Sequence, residues 1–317
     1  MSIPVFDLHC DTAFVLMGED FSQFGSLRQN THHIDLQRSA KVPVMAQCFA
    51  CMGTTLDGPW SRLDPVVFFE RQLATIQREI DKNSDLICLA YSADQILENY
   101  KKGLMSAVLT LEGPASFGFD AGLLEDLYMI GFRATTLCWN EQNPLTGSHI
   151  TGGGLTQKGK EFVRKAQDVG MLLDMSHISD EAFYDVMDLA VKPVIATHSN
   201  SRAVHNVSRN LTDDMFLQIC KVDGVAGFNL YTEFISDQAD LDAACDHIFH
   251  FLELDPNGDH IALGGDLDGC DSLCDGISGI QDYPKLSERL MERGLDADTL
   301  EKIFWKNALG VMKRCCI

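Results

Sequence analysis

The amino-acid sequence predicts an α/β fold built as a (β/α)8 TIM barrel. Three observations point there. Short segments rich in Val, Ile and Leu recur without polar alternation, as parallel strands buried on both faces do. Amphipathic stretches with recognisable caps separate them. About eight such β/α pairs fit within roughly 300 residues, the usual size of this barrel with insertions. A doubly wound open sheet is the main rival, but no Gly-rich phosphate loop follows the first strand. No repeat, low-complexity tract or linker divides the chain, so residues 1–317 are expected to form one domain.

The strands are expected, in order, at Pro4–His9, Val42–Ala50, Ser106–Leu111, Ala134–Cys138, Met171–Ser176, Val194–Thr197, Val225–Leu230 and Ile261–Leu263, with Leu86–Tyr91 as a ninth. Between them, Val66, Phe69, Leu73, Ile76 and Ile80 step by three and four and draw one apolar helical stripe. Ser92 and Gln95 form a capping box, and Gly103 is a plausible stop. Thr156 opens a helix that Gly170 closes, and Ser179 caps another carrying Phe183, Val186 and Ala190.

Composition narrows the function. With 25 basic and 46 acidic residues the net charge is −21, so neither nucleic acid nor an anionic membrane surface is an expected partner. No apolar run is long enough to span a bilayer. The first residues lack a basic and an apolar signal region, and the tail Arg314-Cys315-Cys316-Ile317 is not a prenylation box. The 11 cysteines are an odd number, several of them in apolar stretches (Cys48, Cys88, Cys138, Cys220), where a reduced thiol is a small hydrophobe. A cytoplasmic location is therefore expected.

The chemistry concentrates where strands end. The first strand runs into His9-Cys10-Asp11, whose alternation would turn His9 and Asp11 to the same side. Glu112 follows an apolar run, His177 and His198 close two more, and Asp266 and Asp268 lie between glycines after the last. Singly, each reads as a hydrogen-bonded strand end or a turn former. Together, in a barrel whose C-terminal strand ends converge, they gather enough nitrogen and oxygen donors for two divalent ions sharing one carboxylate.

Asp7-Leu8-His9-Cys10-Asp11-Thr12, Leu111-Glu112-Gly113, Asp174-Met175-Ser176-His177, Thr197-His198-Ser199, Ser208-Arg209-Asn210 and Gly265-Asp266-Leu267-Asp268-Gly269 resemble, in order, the membrane (renal) dipeptidase family of M19 metallopeptidases, in its bacterial form. That resemblance implies an amidohydrolase-like barrel holding two zinc ions. His9 and Asp11 would bind the first, His177 and His198 the second, and Glu112 would bridge them. Asp266 would shuttle the proton, and Arg209 would hold the substrate carboxylate with its planar charged fork. Asp268 receives no role. Where animal members carry a histidine near the substrate carbonyl, this chain has Trp139; Asn140 or His149 then supplies that contact, or the metals suffice.

The expected reaction is hydrolysis of a small dipeptide, including one with a C-terminal D-residue, by a hydroxide between the two zinc ions, with a homodimer allowed. The alternatives are a binuclear amidohydrolase acting on N-acyl amino acids or lactams, and a metal-binding barrel without catalysis; the spare carboxylate of Asp266 argues against the latter. Of the remaining signals, His32-His33 read as structural or solvent-facing, and Cys48 and Cys51 as projecting to opposite sides of a strand. Asp255–Asp259 reads as a turn, and Gly152–Gly154 as a loop.

Overall fold

The computed structural model describes residues 3–18 and 25–316; Ile317 of the tail lies outside them. Among the described residues nine parallel strands form the sheet: β1 (Val5–Asp7), β2 (Val44–Met52), β3 (Ile87–Leu89), β4 (Met105–Glu112), β5 (Phe132–Thr136), β6 (Leu172–Asp174), β7 (Val194–Ala196), β8 (Val225–Phe228) and β9 (Ile261–Leu263). β2 pairs with β4 over Ala46–Met52, and β1 pairs with both β2 and β9. The ring β1-β2-β4-β5-β6-β7-β8-β9 thereby closes, as a (β/α)8 barrel must.

β3 is the ninth strand and stands outside that ring. β2 occupies one edge of β4, so β3, on Met105–Ala107, and β5, from Leu109 onward, share the other. This placement corrects one expectation: Cys88, read as a small hydrophobe of an apolar stretch, is exposed, because β3 has no place in the closed wall. Cys220 is likewise only half-buried.

The helices follow the cap chemistry. Thr156 accepts the Gly159 N–H and Ser179 the Ala182 N–H at the starts of Gln157–Val169 and Asp180–Met187; left-handed Gly170 ends the former. Ala190 falls beyond its helix. On Pro65–Lys82 the inward stripe is Phe69, Ile76 and Ile80, while Val66 in the first turn is exposed. Ser92 caps Ala93–Lys101 as expected, but the Gln95 side chain accepts from Tyr91 N–H, one residue short of the reciprocal box.

Two apolar layers result. Phe6, Cys48, Val108, Ala134, Leu172, Ile195, Val225 and Ala262 fill the barrel interior, continuous with Val311, Met312, Cys315 and Cys316 of the C-terminal segment. Cys51 belongs to the outer layer between strands and helices, so Cys48 and Cys51 do project to opposite faces. One end of the barrel is thus packed with side chains, and the strands' C-terminal ends carry the polar groups. Among the described residues no helix is long and apolar enough to cross a membrane.

Candidate metal centre

Glu112 is the last residue of β4, His9 and His198 follow β1 and β7 by two residues, and His177 and Asp266 follow β6 and β9 by three. β1 stops at Asp7, so strand alternation does not align His9 with Asp11; the turn beyond the strand does, at 3.4 Å from Nε2 to Oδ2. His177 and Asp266 have φ of +69° and +56°, in the left-handed region that non-glycine residues adopt at a cost, and this backbone turns both side chains into the barrel mouth.

The six groups form two halves around Glu112. Its Oε1 lies 2.9 Å from His177 Nε2 and 3.7 Å from His198 Nε2. Its Oε2 lies 3.8 Å from His9 Nε2, which is 3.9 Å from Asp266 Oδ1. His9 and His198 stack with ring centroids 3.7 Å apart. All six are buried, and Asp11 Oδ1 has no protein partner. His9, Glu112 and His198 offer one convergent donor set, and His9, Asp11 and Asp266 another.

Electrostatics give this cluster its meaning. Burial, then Arg209 for His177 and His9 for His198, hold both imidazoles well below their usual range and hence neutral. Their Nε2 atoms nevertheless face each other at 3.0 Å, beside a carboxylate oxygen. Bare lone pairs so placed would repel, so either a proton or a cation belongs among them. Burial, reinforced by Asp11, drives Glu112 well up, and burial likewise raises Asp266. Burial opposes charge on His9 too, but Glu112 and Asp11 outweigh it and push its pKa up to about 10. A buried set of three imidazoles and three carboxylates fits one or two divalent ions.

Hydrogen bonds around the donors orient them. Asn229 Nδ2 donates to Asp266 Oδ2 at 3.0 Å, leaving Oδ1 on the cluster side. Asn140 Oδ1 lies 2.9 Å from His177 Nδ1 and 3.1 Å from His149 Nε2, so this predicted substrate contact holds a predicted ligand by its far nitrogen. His149 also meets Ser208 Oγ at 3.0 Å. Trp139 stands with its ring 6.4 Å from that of His177 and lines a cavity of about 570 Å³ with Phe14, Met52, Asp11 and Glu112.

Arg209 is buried, and burial works against its charge while Asp266, Asp174 and Glu112 support it. Its Nη1 donates to Ser199 Oγ at 2.8 Å, but Nε and Nη2 have no protein acceptor. A buried cation with idle donors is costly unless an anion completes it.

A family model of the membrane dipeptidases, peptidase family M19, matches residues 1–315. The chain belongs to this family. An uncharacterised dipeptidase of Schizosaccharomyces pombe is 32% identical over 222 residues, 68% of this chain; the match spans only 54% of that relative. A protein from the pqqA 5′ region of Klebsiella pneumoniae is 30% identical over 264 residues, covering 79% of this chain and 97% of its own. In fold, the chain resembles a Rhodobacter sphaeroides metallopeptidase liganded with a phosphinate mimic of L-Ala-D-Ala (TM-score 0.89, 23% identity, 99% and 100% of the two chains). It also resembles the probable dipeptidase PvdM of Pseudomonas aeruginosa (TM-score 0.90, 16% identity, 99% and 95%). Membership of the M19 family places it among hydrolases that act on dipeptides.

Several residues that build this M19 site were not legible as such in the sequence. Asp268, left without a role, accepts Thr12 Oγ1 and His33 N–H, both at 2.6 Å, and its own N–H donates to His33 Nδ1 at 2.9 Å. His33 is therefore a tie between two loops, the structural one of the two readings open to it. Asp7 accepts the N–H groups of His9 at 2.9 Å and Gly265 at 2.8 Å, the Gln47 amide at 2.9 Å and the Tyr283 hydroxyl. It joins the β1 loop to the β9 loop. Asn229 and Gly269 complete the list, and nothing in a single sequence separates them from ordinary turn residues.

Proposed function

We propose that the chain is a zinc-dependent dipeptidase acting on small dipeptides with a free C-terminal carboxylate. The observation that carries the reading is the pairing of a convergent His/Asp/Glu set with a buried arginine whose Nε and Nη2 are unpartnered. His9 and Asp11 would hold one ion, His177 and His198 a second, with Glu112 between them. Zinc suits the three imidazoles and their carboxylate neighbours. When bound, such ions supply a water that ionises near neutral pH and a Lewis acid for the scissile carbonyl.

The protein's own groups do the rest. Arg209 Nε and Nη2 grip the substrate carboxylate in a bidentate fork. Asp266 Oδ1 takes the proton of the attacking water and returns it to the departing amine, while Asn229 keeps Oδ2 still. Phe14, Met52 and Trp139 wall the cavity beside the metal centre and keep it partly dry. A cavity of about 570 Å³ accommodates a dipeptide and not a folded chain. The L-Ala-D-Ala mimic in the Rhodobacter sphaeroides structure supports extending the substrate range to a C-terminal D-residue. All 11 cysteines are free thiols, which supports a reducing compartment such as the cytoplasm.

The test is a screen of zinc-loaded protein against L,L and L,D dipeptides, their C-terminal amides, N-acyl amino acids and lactams. Turnover confined to free dipeptides is the expected result. Turnover of amides at equal rates, or of N-acyl amino acids alone, would refute the reading.

A further inference from the structure

We infer that Asp174, acting through the Thr197 hydroxyl, is a positioning residue that fixes the ring tautomer of His198. The inference rests on the two-ion reading above. Asp174 ends β6, is buried, and binds three groups: Oδ1 accepts the N–H of Ser176 and of Thr197, each at 2.9 Å, and Oδ2 accepts Thr197 Oγ1 at 2.5 Å. Thr197 Oγ1 also lies 2.7 Å from His198 Nδ1.

The proton count along this chain has one solution. A carboxylate only accepts, so the single Thr197 hydroxyl proton points at Asp174. The Thr197 oxygen then has only lone pairs to offer, and His198 Nδ1 must be the donor. The ring's remaining nitrogen, Nε2, is left as a bare lone pair, and it is the atom that faces Glu112 and His177. A ligating histidine needs that tautomer.

The backbone is held as firmly as the side chain. A β-carbon on Gly227 or Gly264 would come within 2.0 Å and 1.6 Å of the Thr197 carbonyl oxygen, so β8 and the turn after β9 close on that peptide without room to shift. Asp7 repeats the backbone half of this device between β1 and β9, but among its hydrogen bonds none runs through a hydroxyl to a ring nitrogen. The relay at His198 therefore performs a task that Asp7 does not.

Asp174→Asn separates this role from simple support. Its carbonyl oxygen can keep both backbone N–H bonds while its NH2 faces Thr197 Oγ1. The threonine proton then turns to His198 Nδ1, at 2.7 Å a nearer acceptor than Ser176 Oγ at 3.3 Å, and the ring proton moves to Nε2. The experiment uses the full chain, 15N-labelled at histidine and stripped with chelator, with the His198 signals assigned by comparison with His198→Gln. Wild type should show the Nδ1–H tautomer and Asp174→Asn the Nε2–H tautomer. Zinc titration should give two sites in wild type and one weakened about 10- to 100-fold in Asp174→Asn and in Thr197→Val. Thr197→Ser, which keeps the hydroxyl, should stay within about threefold of wild type, well inside that range.

An unchanged tautomer in Asp174→Asn overturns the inference, as does equal weakening of zinc in Thr197→Val and Thr197→Ser. Should Asp174→Asn fail to fold, the valine and serine pair decides by the same readouts. A wild type that binds fewer than two ions refutes the two-ion reading, while the tautomer comparison still judges Asp174.

Discussion

A β-carbon on Gly269 would lie 2.2 Å from Asp11 Oδ2 and 2.4 Å from Asp266 Oδ1. The glycine backs directly onto two carboxylates of the candidate metal centre, and only the missing side chain leaves them their positions. Gly269→Ala should therefore displace ligands rather than unfold the barrel. The expected outcome is an unchanged far-UV circular dichroism spectrum with zinc affinity lowered about 10- to 100-fold. Wild-type affinity in this variant would show that the two carboxylates do not need that space.

Asp266→Asn removes the group assigned to the proton and spares its neighbours. Turnover should fall by about a hundred- to ten-thousand-fold with two zinc ions retained. Metal analysis and kcat on the same preparation check both halves. Asn229→Ala, which frees the Asp266 Oδ2 oxygen, should lower kcat with KM little changed.

Arg209 carries idle donors in a buried place, so its removal should affect binding and folding in opposite directions. Arg209→Met should raise KM for free dipeptides by roughly 10- to 100-fold, the worth of hydrogen bonds to a charged group. It should leave Tm equal or higher, because unpaired buried N–H groups disappear with the side chain. An unchanged KM removes the carboxylate assignment.

Chelation should abolish activity and lower Tm, and zinc should restore both. Without metal ions Asp11, Glu112 and Asp266 crowd around His9 with only protons to offset their charge. An ion present at about a hundred times its Kd adds about 2.7 kcal/mol to the folded state.

His247 gives the fold a measurable pH dependence away from the centre. It accepts the Ser201 N–H through Nδ1 and donates Nε2–H to the Ile235 carbonyl, and burial, opposed by that bond to Ile235, lowers its pKa to about 4. A histidine with a folded value below its unfolded 6.5 stabilises the native state above pH 6.5 and loses that contribution as pH falls toward 4. Between pH 7.5 and 5 the loss is roughly 2 kcal/mol. Urea midpoints should follow this slope in wild type, and the slope should flatten in His247→Gln.

How much of this was legible differs by element. The strands stood out because a parallel barrel strand is apolar on both faces, and Val225–Phe228 or Ile261–Leu263 can be read as such from composition alone. The helix starts at Ser92, Thr156 and Ser179 stood out because a cap is local chemistry. The exclusion of β3 from the ring was not legible, since its sequence matches that of a wall strand and only the pairing of β2 with β4 displaces it. Nor were the exposed Val66 and Cys88, whose surroundings lie far away in sequence.

The sequence by itself determined which residue types stand at the strand ends, and hence that the barrel mouth would be rich in metal donors. Only the tertiary structure decided how they act together. Glu112 gives one oxygen to each half, Asp174 reaches His198 through a threonine, Gly269 makes room beneath Asp11, and Arg209 keeps two donors unspent. The reason is physical: a donor's identity is local, but its direction, its tautomer and its unfilled hydrogen bonds depend on atoms brought within about 3 Å by the closure of the ring.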